Sequence, residues 1–142
     1  MISELVVEPQ SELVNHRTSR PILIVEDDES MAEVLAIRLE RQGYEAIWTT
    51  SGRKGLQLAQ RERPNLVLLD LRLPDALGFD ICQQLDEDPA TCDIPVIILS
   101  GMEGPDIVRQ ARSAGCQYYV RKPYDPNALL ILIERAIDEA RM

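Results

Sequence analysis

Four acidic or hydroxyl side chains and one lysine follow short apolar runs in this 142-residue chain. Ile22-Leu23-Ile24-Val25 runs into Glu26 and Asp27, Leu66-Val67-Leu68-Leu69 into Asp70, and Val96-Ile97-Ile98-Leu99 into Ser100; Tyr118-Tyr119-Val120 leads to Lys122. Runs rich in β-branched residues read as strands covered on both faces. In an open parallel sheet, groups beyond the carboxyl ends of the strands gather at one crevice. Three carboxylates, a hydroxyl and an ammonium are therefore expected to meet. Two bare carboxylates about 4 Å apart repel by roughly 4 kcal/mol at an effective dielectric near 20, and one ammonium does not balance three of them. A hard divalent cation does, and an all-oxygen ligand set with room for water favours Mg²⁺ over zinc. A carboxylate beside Mg²⁺, a cation and a hydroxyl is what phosphoryl transfer to oxygen requires. Asp70, between the ends of the first and fourth runs, is the expected nucleophile. Its product, an aspartyl phosphate, is a labile mixed anhydride suited to a reversible signal.

The elements that must position these groups are legible in the intervening sequence. Ser30 and Glu33 read as a capping box opening a helix that carries Met31, Val34, Leu35 and Leu39 and stops at Gly43. Tyr44 to Thr50 reads as a strand, and Gly52 to Arg63 as a helix broken by Pro64. Further helices are expected from about Phe79 to Leu85, from about Pro105 to Ala114, and from Pro126, capped by Asp125, to about Ala140. Five strands alternating with five helices through short connections allow a parallel sheet with helices on both faces, joined right-handedly. Residues 1–20 form an expected leader, loose or packed on the outside, with one apolar patch at Leu5, Val6 and Val7; residues 21–142 are the expected domain.

Composition narrows the functional classes. With 24 acidic against 15 basic side chains and a net charge of -9, the surface is ill suited to nucleic acid or anionic membrane. No apolar run approaches the roughly 18–20 residues that span a bilayer, and the start lacks a signal peptide's basic region. Cys82, Cys92 and Cys116, without paired spacing, read as buried or half-buried thiols of a reducing compartment. A cytoplasmic location is expected. His16, the single histidine, has no partner ligand in the sequence, and Trp48 reads as a packing residue. The Gly-rich loop of a nucleotide site is absent.

From Pro21 onward the chain resembles the receiver domain of bacterial two-component response regulators, of the stand-alone, chemotaxis-regulator type. The resemblance rests on Val25-Glu26-Asp27-Asp28, Leu69-Asp70-Leu71-Arg72-Leu73-Pro74-Asp75 with Gly78, Leu99-Ser100-Gly101 and Arg121-Lys122-Pro123. It implies a flavodoxin-like α/β fold, a doubly wound five-stranded parallel sheet of order 2-1-3-4-5 with five helices. It further implies that Asp70 is the phosphoacceptor and that Asp27 binds Mg²⁺ directly. Glu26 would bind it through water, and the main-chain carbonyl of Arg72 would supply another ligand. Ser100 would hydrogen-bond the phosphoryl group and Lys122 would pair with it, with a cis peptide at Lys122-Pro123. Tyr119 matches the aromatic switch that follows Ser100, and Arg72 and Met102 occupy positions that set phosphoryl lifetime.

The function so implied is a single-domain response regulator that catalyses only its own phosphorylation and dephosphorylation. Its donor would be a histidine kinase or phosphotransfer protein and its output contact with a downstream protein. A phosphorelay shuttle is the variant within this class. A Mg²⁺-dependent phosphohydrolase with an aspartate nucleophile is the alternative outside it, disfavoured by Arg72, where such enzymes carry a second acid. An unphosphorylated interaction domain is disfavoured because all the acids and the lysine are present. On the last helix Leu129, Leu132, Ile133, Ala136 and Ile137 form a core-facing stripe, leaving Leu130 and Ile131 in excess. Two occupants stay open for that excess: a homodimer through the fourth helix, fifth strand and last helix, or cover by residues 1–20.

Overall fold

The structure, a computed structural model, describes residues 20–141. Five strands, β1 (Ile22–Val25), β2 (Ala46–Thr49), β3 (Leu66–Asp70), β4 (Val96–Ser100) and β5 (Tyr118–Arg121), alternate with five helices. The helices are α1 (Glu29–Arg41), α2 (Gly52–Glu62), α3 (Gly78–Glu87), α4 (Pro105–Ser113) and α5 (Pro126–Ala140). All neighbouring strands are parallel, in the order β2-β1-β3-β4-β5. Nearly all of the leader expected over residues 1–20, including His16 and the patch at Leu5, Val6 and Val7, lies outside the described residues.

The continuous apolar runs divide between two faces because successive strand side chains point to opposite sides. Ile22, Ile24, Leu66, Leu68, Ile97 and Leu99 pack against Leu35 and Leu39 of α1 and Leu129 and Ile133 of α5. Leu23, Val25, Val67, Leu69, Val96 and Ile98 pack against Ala59 of α2, Ile81, Cys82 and Leu85 of α3, and Ala111 of α4. The three inner strands bury every residue, so neither face can slip in register without exposing a full row of branched side chains.

Several local expectations are revised. The capping box is not formed: Asp28 is the N-cap of α1, its carboxylate accepting from the Met31 amide at 3.2 Å. Asp28 is placed by the turn leaving β1, so it reaches the first free amides before Ser30 does. Of the four apolar positions expected to face the core from α1, Leu35 and Leu39 are buried, while Met31 and Val34 are 43% and 55% exposed. Small Ala32 and Ala36 lie against the sheet instead, letting α1 approach closely and turning the larger side chains outward. Leu130 packs against the core and Leu132 is only half-buried, leaving Ile131 as the exposed one. Leu130 and Ile131 line a groove with Gln42 and Tyr44 at the end of α1. Cys82 is buried and Cys116 half-buried as expected, but Cys92 is exposed. No helix among the described residues is long and apolar enough to cross a membrane.

Candidate functional site

The carboxyl ends of β1, β3 and β4 open on one cleft of about 380 Å³, lined by Asp27, Asp70, Arg72, Ser100, Gly101, Met102 and Lys122. Each wall has a local cause. β1 stops as Glu26 leaves the apolar run, and its amide still bonds to the Thr49 carbonyl at 3.1 Å, so Glu26 stays beneath the rim, 4% exposed. Asp70 is the last residue of the central strand and is 7% exposed. Lys122 follows β5 and is tied to the end of β4, its amide bonding to the Ser100 carbonyl at 2.8 Å. The Lys122–Pro123 peptide is cis, as the resemblance implies.

The charges converge. Lys122 Nζ lies 2.9 Å from Glu26 Oε1 and 3.3 Å from Asp70 Oδ2. Glu26, Asp27 and Asp70 each present a carboxylate oxygen, and these oxygens lie within 4.8 Å of one another. Burial above all holds the Glu26 carboxyl up, from its ordinary 4.5 to about 7; the Lys122 hydrogen bond opposes this, and those shared with Asp27 and Asp70 reinforce it. Burial, then the hydrogen bond with Asp27, raises Asp70 as well. Exposed Asp27 is held below the usual carboxylate range by hydrogen bonds with Glu26 and then Asp70. Burial alone would lower Lys122, but its bonds and charge interactions with Glu26 and Asp70 leave it raised. One ammonium therefore does not offset the burial and mutual crowding of the acids, which hold Glu26 and Asp70 above their ordinary range. Hard oxygen donors, an excess of negative charge and an exposed carboxylate at the cleft mouth fit a hard divalent cation.

Ser100 and Tyr119 meet at one residue, Met102. Met102 donates its amide to Ser100 Oγ at 3.0 Å, and the Tyr119 hydroxyl donates to the Met102 carbonyl at 2.6 Å. The structure thus brings Glu26, Asp27, Asp70, Arg72, Ser100, Met102 and Lys122 to one cleft and places Tyr119 directly behind it. The thiols stand apart: burial pushes Cys82 up to about 12 and Cys116 up to about 11, which keeps both protonated.

Two residues of the segment that carries the resemblance, Gly78 and Asp75, had no role read from the sequence. Gly78 opens α3 against the back of the acceptor; a Cβ there would sit 2.3 Å from the Asp70 carbonyl oxygen and 2.8 Å from Leu71 Cα. Asp75 accepts from the amides of Gly52 and Arg53 at 2.8 and 3.1 Å and from the Ser51 hydroxyl at 2.9 Å. The clue to the first was a glycine at the start of a helix; nothing local points to the second, whose partners lie more than twenty residues upstream.

The fold and the site together define a phosphoacceptor module. The response regulator receiver domain family matches residues 22–134, and the chain belongs to that family. It is 38% identical over 109 residues to the DNA-binding dual master transcriptional regulator RpaA of Synechocystis, covering 77% of this chain and 45% of that one. It is 31% identical over 121 residues to the polar-differentiation response regulator DivK of Brucella anthropi, covering 85% of this chain and 98% of that one. The chain thus spans under half of the first relative and nearly all of the second. Among solved structures, a CheY-like receiver domain protein from Methanospirillum hungatei superposes with a TM-score of 0.81 at 29% identity, covering 86% of this chain and 96% of that one. The BeF3-activated DrrB receiver domain does so with a TM-score of 0.73 at 29% identity, covering 84% and 97%.

Proposed function

We propose that this chain is a response regulator that accepts a phosphoryl group on Asp70 from a histidine kinase or phosphotransfer protein and signals through protein contact. The observation that carries the reading is the setting of Asp70: buried at the end of the central strand, beside Lys122, with Glu26 and Asp27 close by. A donor phosphohistidine would lose its N–P bond as an O–P bond forms to an Asp70 carboxylate oxygen. The N–P electron pair returns to the imidazole, which takes a proton from solvent. Lys122 and Ser100 line the cleft with Asp70, where the phosphoryl oxygens would lie, and are suited to an ion pair and a hydrogen bond.

Asp27, Asp70 and the Arg72 carbonyl are the residues that would hold Mg²⁺ directly, with Glu26 reaching it through water. Bound there, the ion would neutralise charge on the transferring group. Tyr119, tied to the segment that carries Ser100 and Met102, is suited to report a shift of Ser100 to the outer surface. An apolar groove of about 410 Å³, lined by Met31, Val34, Leu35, Pro123, Tyr124 and Pro126, shares Lys122 with the cleft and is suited to an apolar face of the donor. A homodimer through α4, β5 and α5 is supported by the family resemblance; the surplus Leu130 and Ile131 border α1 instead.

Acetyl phosphate with Mg²⁺ is expected to label the wild-type chain and to leave Asp70→Asn unlabelled. Label retained by that variant would move the acceptor elsewhere.

A further inference from the structure

We propose that Asp75 is a positioning residue: its carboxylate latches the β3–α3 loop to the first turn of α2 and so holds the Arg72 end of the site at the geometry the divalent cation requires. The inference rests on the reading of Asp27, Asp70 and Arg72 as the cation's ligands.

The start of α2 needs such a partner. Its first turn contains Arg53 and Lys54 and no acidic residue, the wrong sign for a helix N-terminus that carries partial positive charge. Its own N-cap, Ser51, accepts from the Lys54 amide at 3.1 Å, which leaves the amides of Gly52 and Arg53 without an intrahelical acceptor. Asp75 takes both, and the Ser51 hydroxyl besides. The hydrogen bonds from Arg53, then Gly52, then Ser51 hold its carboxyl below the usual range, so it remains an anion.

The latch is continuous with the site. Leu73 and Ala76 flank Asp75 and lie against α2, where a Cβ on Gly52 would come within 3.0 Å of Leu73 Cδ1 and 3.2 Å of Ala76 Cβ. The loop is closed on itself by the bridge between Arg72 and Leu77 and by the Leu73 amide bonding to the Ala76 carbonyl at 3.3 Å. Arg72 in turn donates its amide to Asp70 Oδ1 at 3.4 Å. Arg72 is therefore held from two sides, by the acceptor strand and by the latch. Without Asp75 the loop keeps its internal bridge but loses its fastening to α2, and a main-chain carbonyl has no side-chain rotamer with which to recover its place.

The test compares Mg²⁺ binding by titration calorimetry in the full chain and its variants. Asp75→Ala is expected to bind about tenfold more weakly, the usual size of a loss behind a metal ligand, with Asp75→Asn in between because its amide oxygen keeps one acceptor. Labelling by acetyl phosphate is expected to need correspondingly more Mg²⁺ for half its maximal rate, with the rate at saturation unchanged. Thr91→Val, which removes a buried hydroxyl donating to the Leu85 carbonyl at 2.8 Å beyond the far end of α3, is the stability control and is expected to bind Mg²⁺ as the wild type does. Wild-type affinity in Asp75→Ala, or an equal loss in Thr91→Val, overturns the positioning role. Absence of Mg²⁺ uptake by the wild type overturns the reading of the site itself. Should Asp75→Ala fail to fold, the same comparison is made with Asp75→Asn.

Discussion

Asp70 ends β3 and Asp75 lies five residues on, in the loop before α3, and their surroundings push them in opposite directions. Asp70 is buried, has one long amide hydrogen bond and a share of Lys122, and faces two other acids. Its carboxyl is raised, by burial first. Asp75 is exposed, receives two amides and a hydroxyl, and is lowered by them. A carboxylate supplied with donors becomes a fastener. One deprived of donors and crowded by its own kind becomes an acceptor in want of positive charge.

The largest expected effect comes from breaking the contact behind Asp70. Gly78→Ala would drive a Cβ into the Asp70 carbonyl and Leu71, backbone that cannot turn aside as a side chain does. A loss of about 2 kcal/mol is expected, read as a lower denaturant midpoint, with weaker Mg²⁺ binding beside it. An unchanged midpoint would mean that the end of β3 yields more readily than close packing allows.

The next effect sharpens the electrostatic half of the contrast. The Glu26 carboxyl is higher in the folded chain, at about 7, than its ordinary 4.5, so between these values the folded state binds more protons than the unfolded one. Stability of the metal-free protein is then expected to fall as pH rises through that window, and Mg²⁺ to restore it on the alkaline side. Thermal melts at about pH 5 and about pH 8, with and without Mg²⁺, check this; a metal-free protein more stable at the higher pH would reverse the sign. The smallest effect is that of Glu26→Gln, which removes the titration without removing the side chain. A rise of about 4 °C in the metal-free melting temperature is expected on the alkaline side only, the size of roughly a 1 kcal/mol change in a domain of this length. An equal rise at the lower pH would assign the gain to packing instead.

Much of this site was readable in advance because its parts are local. Val25-Glu26-Asp27, Leu69-Asp70 and Leu99-Ser100 are junctions where an apolar run meets a polar group, and parallel topology sends every such junction to the same rim. What escaped the reading was relational. Whether Met31 or Ala32 faced the sheet depended on how closely α1 could approach it. The Lys122–Glu26 pair joins residues nearly a hundred positions apart, and Asp75 caps a helix that precedes it.

The sequence by itself determined the alternation of strands and helices, the burial of both sheet faces and the identity of the groups at the strand ends, since periodicity, chain breakers and side-chain chemistry act over a few residues. Tertiary structure alone decided which carboxylate is crowded and which is satisfied. Proton affinity depends on burial and on donors brought from distant segments, and those are set only when the layers close.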